Sequence, residues 1–276
     1  MVPALNAEGH IEETLAAVAA QGARHRLHVI VVDNGSEDST LEIASRWADE
    51  TIRAEAGGCA VARNAGLERT TTPFMLSLDA DCIPLESDWA ERHLSALSSA
   101  PNRVIASAGR SIPKPIADRW AMREDITPHP AFRENVPLYA VTGNACFRTE
   151  PLRSLGGFPG IAADDAGVGM RARRAGFEFR WVPDALVYHA NAPGWRGYLR
   201  QMRKIGRYGV EIDGVPLCPF AFYAERLKYI PGVLRHAAAG RWHEAAAVTL
   251  SAAGQALGAR DAWRRGIPEE EVDWLT

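Results

Sequence analysis

The sequence is poor in cysteine, carries no marked excess of charge of either sign and contains no long uncharged run. Only four of its 276 residues are cysteines, and none forms a Cys-x-x-Cys pair, which disfavours a disulfide-rich scaffold and a cysteine zinc site. Lysine and arginine number 31 against 34 aspartates and glutamates, giving a formal net charge of −3. This balance argues against a polyanion binder, and we expect no nucleic-acid partner.

The distribution of charge also bears on membranes. The longest stretch without Asp, Glu, Lys or Arg is 245–259, which has 15 residues, whereas a membrane-spanning helix needs about 20 mostly apolar residues. No signal peptide is evident at the start, where polar residues begin at Asn6. We therefore expect a cytoplasmic protein whose membrane contact, where there is one, is peripheral and at the inner face.

Short apolar runs alternate with helical patterns through the first two-thirds of the chain. This alternation predicts an α/β fold with a mostly parallel, Rossmann-like sheet flanked by helices. The apolar content of 47% is enough for a sizeable core. The predicted strands are 2–5, 27–32, 74–78, 104–108, 138–148, 178–182 and 185–189, and the predicted helices are 8–21, 38–47, 60–68, 88–98 and 164–175.

Two segments depart from the alternation. Residues 110–140 hold five prolines and little periodicity, which predicts a long functional loop. After about residue 190 the pattern becomes helical, over 195–211, 219–238 and 241–258. We therefore divide the chain into a domain of residues 1–190 and a helical C-terminal extension of residues 191–276.

Polar residues follow three of the predicted strands. Asn6 follows the first, Asp33 to Ser36 end the second, and Asp79 to Asp81 follow the strand 74–78. In an open α/β sheet, ligands bind beyond the carboxyl ends of the strands. The coincidence predicts a ligand site at this edge.

The pair Asp79-Ala80-Asp81 is the sharpest chemical signal. Two carboxylates on one face repel each other unless a cation lies beside them, and Mg²⁺ or Mn²⁺ prefers such ligands together with substrate phosphates. The alternative is a strand-end turn whose aspartates only cap the next segment. The strand-end position favours the metal.

The other candidates also have two interpretations each. Asp33 either forms a turn or accepts hydrogen bonds from a base or ribose, and Arg63-Asn64 either form a solvated helix face or reach the same ligand. Asp164-Asp165 either cap a helix or include a general base. His189 is either a packed histidine or a third metal ligand.

An ordered series of motifs over residues 2–189 resembles the family 2 glycosyltransferases with the GT-A fold. The series consists of Val2–Glu8, Val31–Thr40, Ala62–Gly66, Leu78–Asp81, Gly143–Arg148, Leu155–Phe158, Asp164–Asp165, Arg171, Arg174–Gly176, Val182–Pro183 and Tyr188–His189. The resemblance implies a nucleotide-diphosphate sugar donor, a divalent metal (Mn²⁺ or Mg²⁺) and a saccharide or lipid-linked acceptor. It also implies transfer with inversion, in the synthesis of cell-envelope glycans or glycolipids.

The resemblance also assigns roles to individual residues. Asp165 is implied as the catalytic base, Asp81 as the direct metal ligand and His189 as a further metal ligand. Asp33 is implied to contact the nucleobase of the donor, and Asp79 is implied to lie near the ribose of the donor. The remaining substrate-binding positions that we predict are Pro3, Asn6, Arg63, Asn64, Asn144 and Asp164.

Three features depart from the family pattern. The apolar residues that usually precede Val2-Pro3 are absent, which is typical of a truncated or misassigned start. Gly167 stands where many members carry an aspartate, and Gly167 and Gly169 are expected to loosen the start of helix 164–175. The Gln-x-x-Arg-Trp element of processive synthases is missing, because Gln201 is followed by Met-Arg-Lys-Ile, so we expect non-processive transfer.

The segment 196–207 carries five basic residues and no acidic one. It is either a surface helix with a packed apolar stripe or a cationic face toward a diphosphate or an anionic lipid surface. Two other functions remain open beside an active glycosyltransferase, namely a non-catalytic nucleotide-sugar-binding relative and a nucleotidyltransferase. The sequence leaves the donor sugar, the acceptor and the oligomeric state open.

Overall fold

The structure is a computed structural model that describes residues 1–55, 57–114, 132–133, 136–160, 164–190, 194–211 and 230–265. These residues group into two compact units. One contains the described residues up to Ala190, and the other contains the described residues from Gly194 onward. Most of the predicted loop 110–140 and the first part of the predicted helix 219–238 lie outside the described residues.

The first unit begins with a small sheet in which every strand is parallel to its neighbour. Its strands are β1 (Val2–Ala4), β2 (Ile30–Asp33) and β3 (Glu50–Arg53), in the order β1-β2-β3. All four residues of β2 are buried, as expected of a β-branched parallel strand that is covered on both faces. The predicted parallel sheet is present here.

A second sheet in the same unit is mixed. It contains β4 (Phe74–Leu78), β5 (Cys82–Pro84), β6 (Val104–Pro113), β9 (Asn144–Arg148) and β10 (Glu178–His189), in the order β4-β9-β6-β10-β5. Strand β10 is parallel to β6, whereas β9 runs antiparallel to both of its neighbours. A short antiparallel pair, β7 (Phe132–Arg133) and β8 (Val136–Pro137), precedes β9.

The two strands predicted at 178–182 and 185–189 form one strand, β10, with a shift of register between Val182 and Leu186. A bulge of this kind bends a strand without ending its pairing. The α/β fold is confirmed, and parallel pairing extends to only part of the second sheet because β9 enters it from the opposite direction.

The start of the chain joins the two sheets. The amino group of Met1 donates to the carbonyl oxygen of Leu76 at 2.8 Å, and the amide of Leu78 donates to the carbonyl oxygen of Met1 at 3.2 Å. Strand β1 therefore lies between β2 and β4: the chain passes from β1 to β2 and β3 on one side and returns through the helix Cys59–Arg69 to β4 on the other. Such a position is the switch point of an open α/β sheet, where ligands bind beyond the carboxyl ends of the strands.

Helices cover the faces of this first unit. They are α1 (Ile11–Ala19), α2 (Thr40–Ala44), α3 (Cys59–Arg69), α4 (Trp89–Ser98), α5 (Thr149–Ser154) and α6 (Asp164–Arg174). The predicted apolar face of α1 is buried, with Ile11, Leu15 and Val18 in the core. Helix α3 begins after Gly58, whose φ of +89° is a left-handed conformation that favours glycine.

The second unit is helical in its described residues. It contains α7 (Gly194–Glu211), α8 (Ile230–Ala238) and α9 (Trp242–Arg265). Helices α7 and α9 pack closely at two glycines, Gly206 and Gly258. A side chain at Gly206 would collide with the Gln255 carbonyl, and one at Gly258 would collide with the Arg203 carbonyl. Within the described ranges, no helix is both long enough and apolar enough to cross a membrane.

Candidate active site

The loops that follow β1 and β2 are bound to each other at the carboxyl edge. Asn6 has a φ of +48°, its amide donates to Ser36 Oγ at 2.9 Å, and its Oδ1 accepts from the Glu37 amide at 2.9 Å. Pro3 is buried within β1, opposite Val32. Asn6 therefore connects the first strand to the loop that begins at Asp33.

Asp33 lies fully buried at the end of β2 and is held from two sides. Its Oδ1 accepts from the Ser36 amide at 3.1 Å, and its Oδ2 accepts from Arg53 Nε at 3.2 Å. Arg53 comes from the directly paired position of β3, and its side chain is 64% exposed. Sequence analysis did not identify Arg53. The register between β2 and β3 is the feature that would have indicated it, because paired residues share a face of the sheet.

Arg63 lies between two carboxylates. Its Nη2 donates to Asp79 Oδ1 at 2.6 Å and its Nη1 to Asp164 Oδ2 at 2.5 Å, and the residue is only 3% exposed. Burial would lower the pKa of Arg63, but the two carboxylates outweigh it and raise the pKa well above its usual range. The structure therefore brings together the predicted residues Arg63, Asp79 and Asp164.

Asp81 and His189 lie side by side, because β5 pairs with β10 at this point. Asp81 Oδ2 is 3.4 Å from His189 Nε2, and with Cys82 the ligand atoms all lie within 4.8 Å of one another. Burial alone would raise the pKa of Asp81, but hydrogen bonding to His189 and its charge outweigh that effect and lower it.

This cluster fits a divalent cation. Cis ligands of an octahedral Mg²⁺ ion lie about 3 Å apart at bonds of about 2.1 Å, close to the separation of Asp81 and His189. Burial raises the pKa of the Cys82 thiol well above its usual range, and a protonated thiol is a poor ligand. Two protein ligands leave several coordination positions for phosphate oxygens and water, as Mg²⁺ and Mn²⁺ prefer.

The two aspartates at the start of α6 have different environments. Asp164 is buried; besides its ion pair with Arg63, its Oδ1 accepts from the Asp165 amide at 2.9 Å. Asp165 is half-buried, and its Oδ1 accepts from the Ala166 amide at 2.8 Å. The helix is continuous through Gly167 and Gly169, and both glycines are buried; a looser helix start remains a prediction. A side chain at Gly169 would collide with Tyr139, which is a packing reason for a glycine there.

Two predicted substrate-binding residues, Asn144 and Asn64, make hydrogen bonds within the protein. Asn144 is fully buried; its Oδ1 accepts from Trp89 Nε1 at 2.8 Å and lies 3.0 Å from His93 Nε2, while its Nδ2 donates to the carbonyls of Arg110 and Ala185. These contacts support a positioning role for Asn144, and direct substrate contact by Asn144 remains a prediction.

Asn64 makes a similar internal pair of bonds. Its Nδ2 donates to the Phe158 carbonyl and its Oδ1 accepts from the Phe158 amide, both at 2.8 Å. Its side-chain amide therefore fixes the turn before α6, and substrate contact by Asn64 remains a prediction.

His93 is the buried residue that sequence reasoning missed. Its Nδ1 lies 2.8 Å from Ser107 Oγ and its Nε2 lies beside Asn144. Burial lowers the pKa of His93 to about 4, although its hydrogen bond to Asn144 acts in the opposite direction. The imidazole is therefore neutral at pH 7 and connects α4 to β6 and β9. No local pattern in the sequence indicates this contact.

The strand order and the acidic edge define a class of protein, the GT-A-type transferases with a Rossmann-like nucleotide-binding sheet. Residues 1–156 match the family model described as Glycosyl transferase family 2, and residues 96–252 match the one described as Glycosyl transferase family group 2. Because the first match covers more than half of the chain, this protein belongs to glycosyltransferase family 2 and is a glycosyltransferase.

Similar proteins are found among curated sequences and solved structures. Glycosyltransferase AglE of Haloferax volcanii is 27% identical over 223 residues, which cover 77% of this chain and 72% of AglE. The mannosyltransferase PcManGT from Pyrobaculum calidifontis, solved in complex with GDP-Man and Mn²⁺, has a TM-score of 0.63 at 20% identity, covering 99% of this chain and 81% of that one. S. aureus TarS 1-349 in complex with UDP-GlcNAc has a TM-score of 0.57 at 19% identity, covering 75% and 63%. These two structures support the GT-A fold.

Proposed function

We propose that this glycosyltransferase transfers a sugar from a nucleotide-diphosphate sugar to an acceptor hydroxyl, with inversion at the anomeric carbon. The observation that carries the proposal is the position of Asp33 at the end of β2 and of Asp79 and Asp81 after β4, the strands on the two sides of β1, because ligands bind beyond the carboxyl ends of such strands. The GDP-Man and UDP-GlcNAc complexes of similar folds support a nucleotide-sugar donor. The catalytic unit is residues 1–190, and residues 191–276 form an extension.

In this proposal, Asp33 and Asn6 face the nucleoside of the donor, and Asp79 lies near its ribose. Asp81 and His189 would hold Mn²⁺ or Mg²⁺, and the Mn²⁺ of the PcManGT complex supports this choice. The cation supplies positive charge that neutralises the departing diphosphate. Pro3 pairs with Val32, next to Asp33, and Asn144 donates to the Ala185 carbonyl in β10, the strand that carries His189. Asn64 and Pro3 are proposed to contact the donor as well.

Asp165 is the base in this proposal. Inversion by direct displacement needs one group that takes the proton from the acceptor hydroxyl as it attacks. Asp164 is buried and forms an ion pair with Arg63, and Asp165 is half-buried in the first turn of the same helix. The amino-terminal end of a helix favours a carboxylate over an uncharged side chain, which suits the place of the proposed base.

The acceptor in this proposal is a saccharide or a lipid-linked saccharide that receives one sugar per encounter. Helix α7 presents exposed Trp195, Arg196 and Arg200, with the Arg196 guanidinium 5.3 Å from the centre of the Trp195 ring. Arg203 of the same helix pairs with Asp261. An exposed tryptophan beside cations suits an anionic membrane surface, so we propose peripheral contact there.

Vesicle sedimentation tests the membrane contact. The full chain is expected to sediment with phosphatidylserine-containing vesicles more than with phosphatidylcholine vesicles, and Arg196→Gln/Arg200→Gln is expected to remove the difference. Equal sedimentation of both proteins with both vesicles would contradict peripheral contact through α7.

The experiment that tests the function is turnover of a panel of nucleotide sugars, including GDP-mannose and UDP-GlcNAc, with Mn²⁺. We expect release of a nucleoside diphosphate from at least one donor, and NMR of the sugar product should show an inverted anomeric centre. Nucleotide binding without release would favour the non-catalytic relative. Release of pyrophosphate from a nucleoside triphosphate and a sugar phosphate would favour the nucleotidyltransferase.

A further inference from the structure

The guanidinium of Arg63 connects two segments that are far apart in the sequence. Asp79 follows β4 on the donor side of the proposed site, and Asp164 is the first residue of α6, which carries the proposed base. Arg63 comes from a third element, α3, and its side chain is 4% exposed. The Arg63 side chain therefore has little access to solvent, and its buried guanidinium bridges the two carboxylates.

The charges in this cluster are unequal. One cation faces two carboxylates, of which the Asp164 side chain is 8% exposed and the Asp79 side chain 33% exposed. Among the described residues, Arg63 Nε has no hydrogen-bond partner, so the two ion pairs provide the polar contacts of the guanidinium. A planar guanidinium can donate to two carboxylates in fixed directions, which a lysine ammonium cannot reproduce.

Asp164 transmits the position of Arg63 to Asp165. One oxygen of the Asp164 carboxylate accepts from Arg63, and the other accepts from the Asp165 amide at 2.9 Å. The Asp165 side chain in turn accepts from the Ala166 amide. A change in the direction of the Asp164 carboxylate therefore moves the first turn of α6.

We infer that Arg63 is a positioning residue that fixes the start of α6, and with it Asp165, relative to the donor-side carboxylate of Asp79. This inference rests on the proposed function for the role of Asp165, but the contact itself does not. The sequence predicts that Arg63 contacts a substrate directly; this inference gives it an internal positioning role in place of that contact. Loss of Arg63 leaves the buried Asp164 without a counter-charge and frees the helix start.

Hydrogen–deuterium exchange tests the positioning without any donor. In Arg63→Met, the amides of a peptide covering residues 164–174 should exchange faster than in the wild type. Arg69→Met is the matched control, because Arg69 lies on the same helix and pairs with Glu50 at an exposed site. Its exchange at 164–174 should be unchanged. Wild-type exchange there in Arg63→Met would overturn the inference. Should Arg63→Met not fold, Arg63→Lys is measured in its place and read in the same way.

Turnover and affinity then separate positioning from substrate contact. With the donor that the wild type uses best, turnover by Arg63→Met should fall about 100-fold, the typical loss from a misplacement of about 1 Å. The affinity for GDP or UDP with Mn²⁺ should fall much less. Arg63→Met/Asp164→Asn should recover stability, because it removes the uncompensated buried carboxylate, but its turnover should stay low, because the contact that fixes the start of α6 is still missing.

The opposite pattern, weakened nucleotide binding at normal turnover, would mean that Arg63 contacts the donor and would overturn the inference. Recovery of wild-type turnover in the double variant would do the same, because it would mean that only the uncompensated charge of Asp164 mattered. The wild type could show no turnover while Arg63→Met shows the expected faster exchange. That result would reject the proposed function but would still support the role of Arg63 in fixing the start of α6.

Discussion

Replacing Asn144 with leucine should destabilise the first unit while leaving nucleotide contacts in place. The substitution preserves volume but removes the partner of the Trp89 indole N–H, of His93 Nε2 and of the carbonyls of Arg110 and Ala185. A buried polar group left without its partner costs about 1–3 kcal/mol. Four such groups give a loss of roughly 4 kcal/mol or more, a large part of the 5–15 kcal/mol typical of a domain.

Urea unfolding of Asn144→Leu, followed by tryptophan fluorescence, measures this loss. Asn102→Leu is the matched control, because Asn102 is exposed and exposed substitutions usually change the free energy of unfolding by less than about 0.5 kcal/mol. Calorimetry with GDP or UDP and Mn²⁺, below the unfolding transition, should give near-normal affinity. A variant with wild-type stability that no longer binds nucleotide would refute the positioning role and restore direct contact.

Three further predictions concern separate parts of the molecule. Burial lowers the pKa of His93 from 6.5 to about 4, so between these pH values the unfolded chain binds a proton that the folded protein does not. The free energy of unfolding therefore falls as pH falls from 6.5 to 4, by about 3 kcal/mol at 1.36 kcal/mol per pH unit. Urea unfolding of His93→Gln should show a shallower pH dependence than the wild type, and an unchanged dependence would contradict this. Asp81→Ala should abolish the Mn²⁺-dependent gain in nucleotide affinity, so a retained gain in calorimetry would reject the metal assignment. Gly258→Ala should lower the free energy of unfolding by about 1–3 kcal/mol through overpacking of α7 against α9, and a neutral result in thermal unfolding would contradict that packing.

The acidic edge of the site could be predicted from the sequence because it depends on a general property of parallel strands. Asp33 and Asp79 each follow a short apolar run, and parallel neighbours end at the same edge of a sheet. The strand–helix alternation predicts a mostly parallel sheet but not the order of its strands. In the first unit the predicted helices have the observed extents within a few residues because their apolar spacing is local information, whereas the predicted helix 241–258 continues to Arg265.

Contacts between distant segments could not be predicted in the same way. The antiparallel entry of β9 between β4 and β6 depends on pairing over about 40 to 70 residues of sequence. The contacts of Asn144 could not be predicted either, because an asparagine can hydrogen-bond to a substrate as well as to the four internal partners that it has here. The sequence predicts Arg63 as a substrate-binding residue, but only the fold shows that it faces Asp79 and Asp164.

The most direct test of the central claim is the transfer rate of Asp165→Asn measured beside its donor affinity. The substitution keeps the shape and the hydrogen-bonding capacity of the side chain but removes the basic oxygen. General base catalysis contributes about 10²–10⁴-fold, so transfer should fall by about that factor while the affinity for donor and Mn²⁺ changes little. Asp164→Asn should be milder. Near-normal transfer by Asp165→Asn, or a greater loss in Asp164→Asn, would contradict the account.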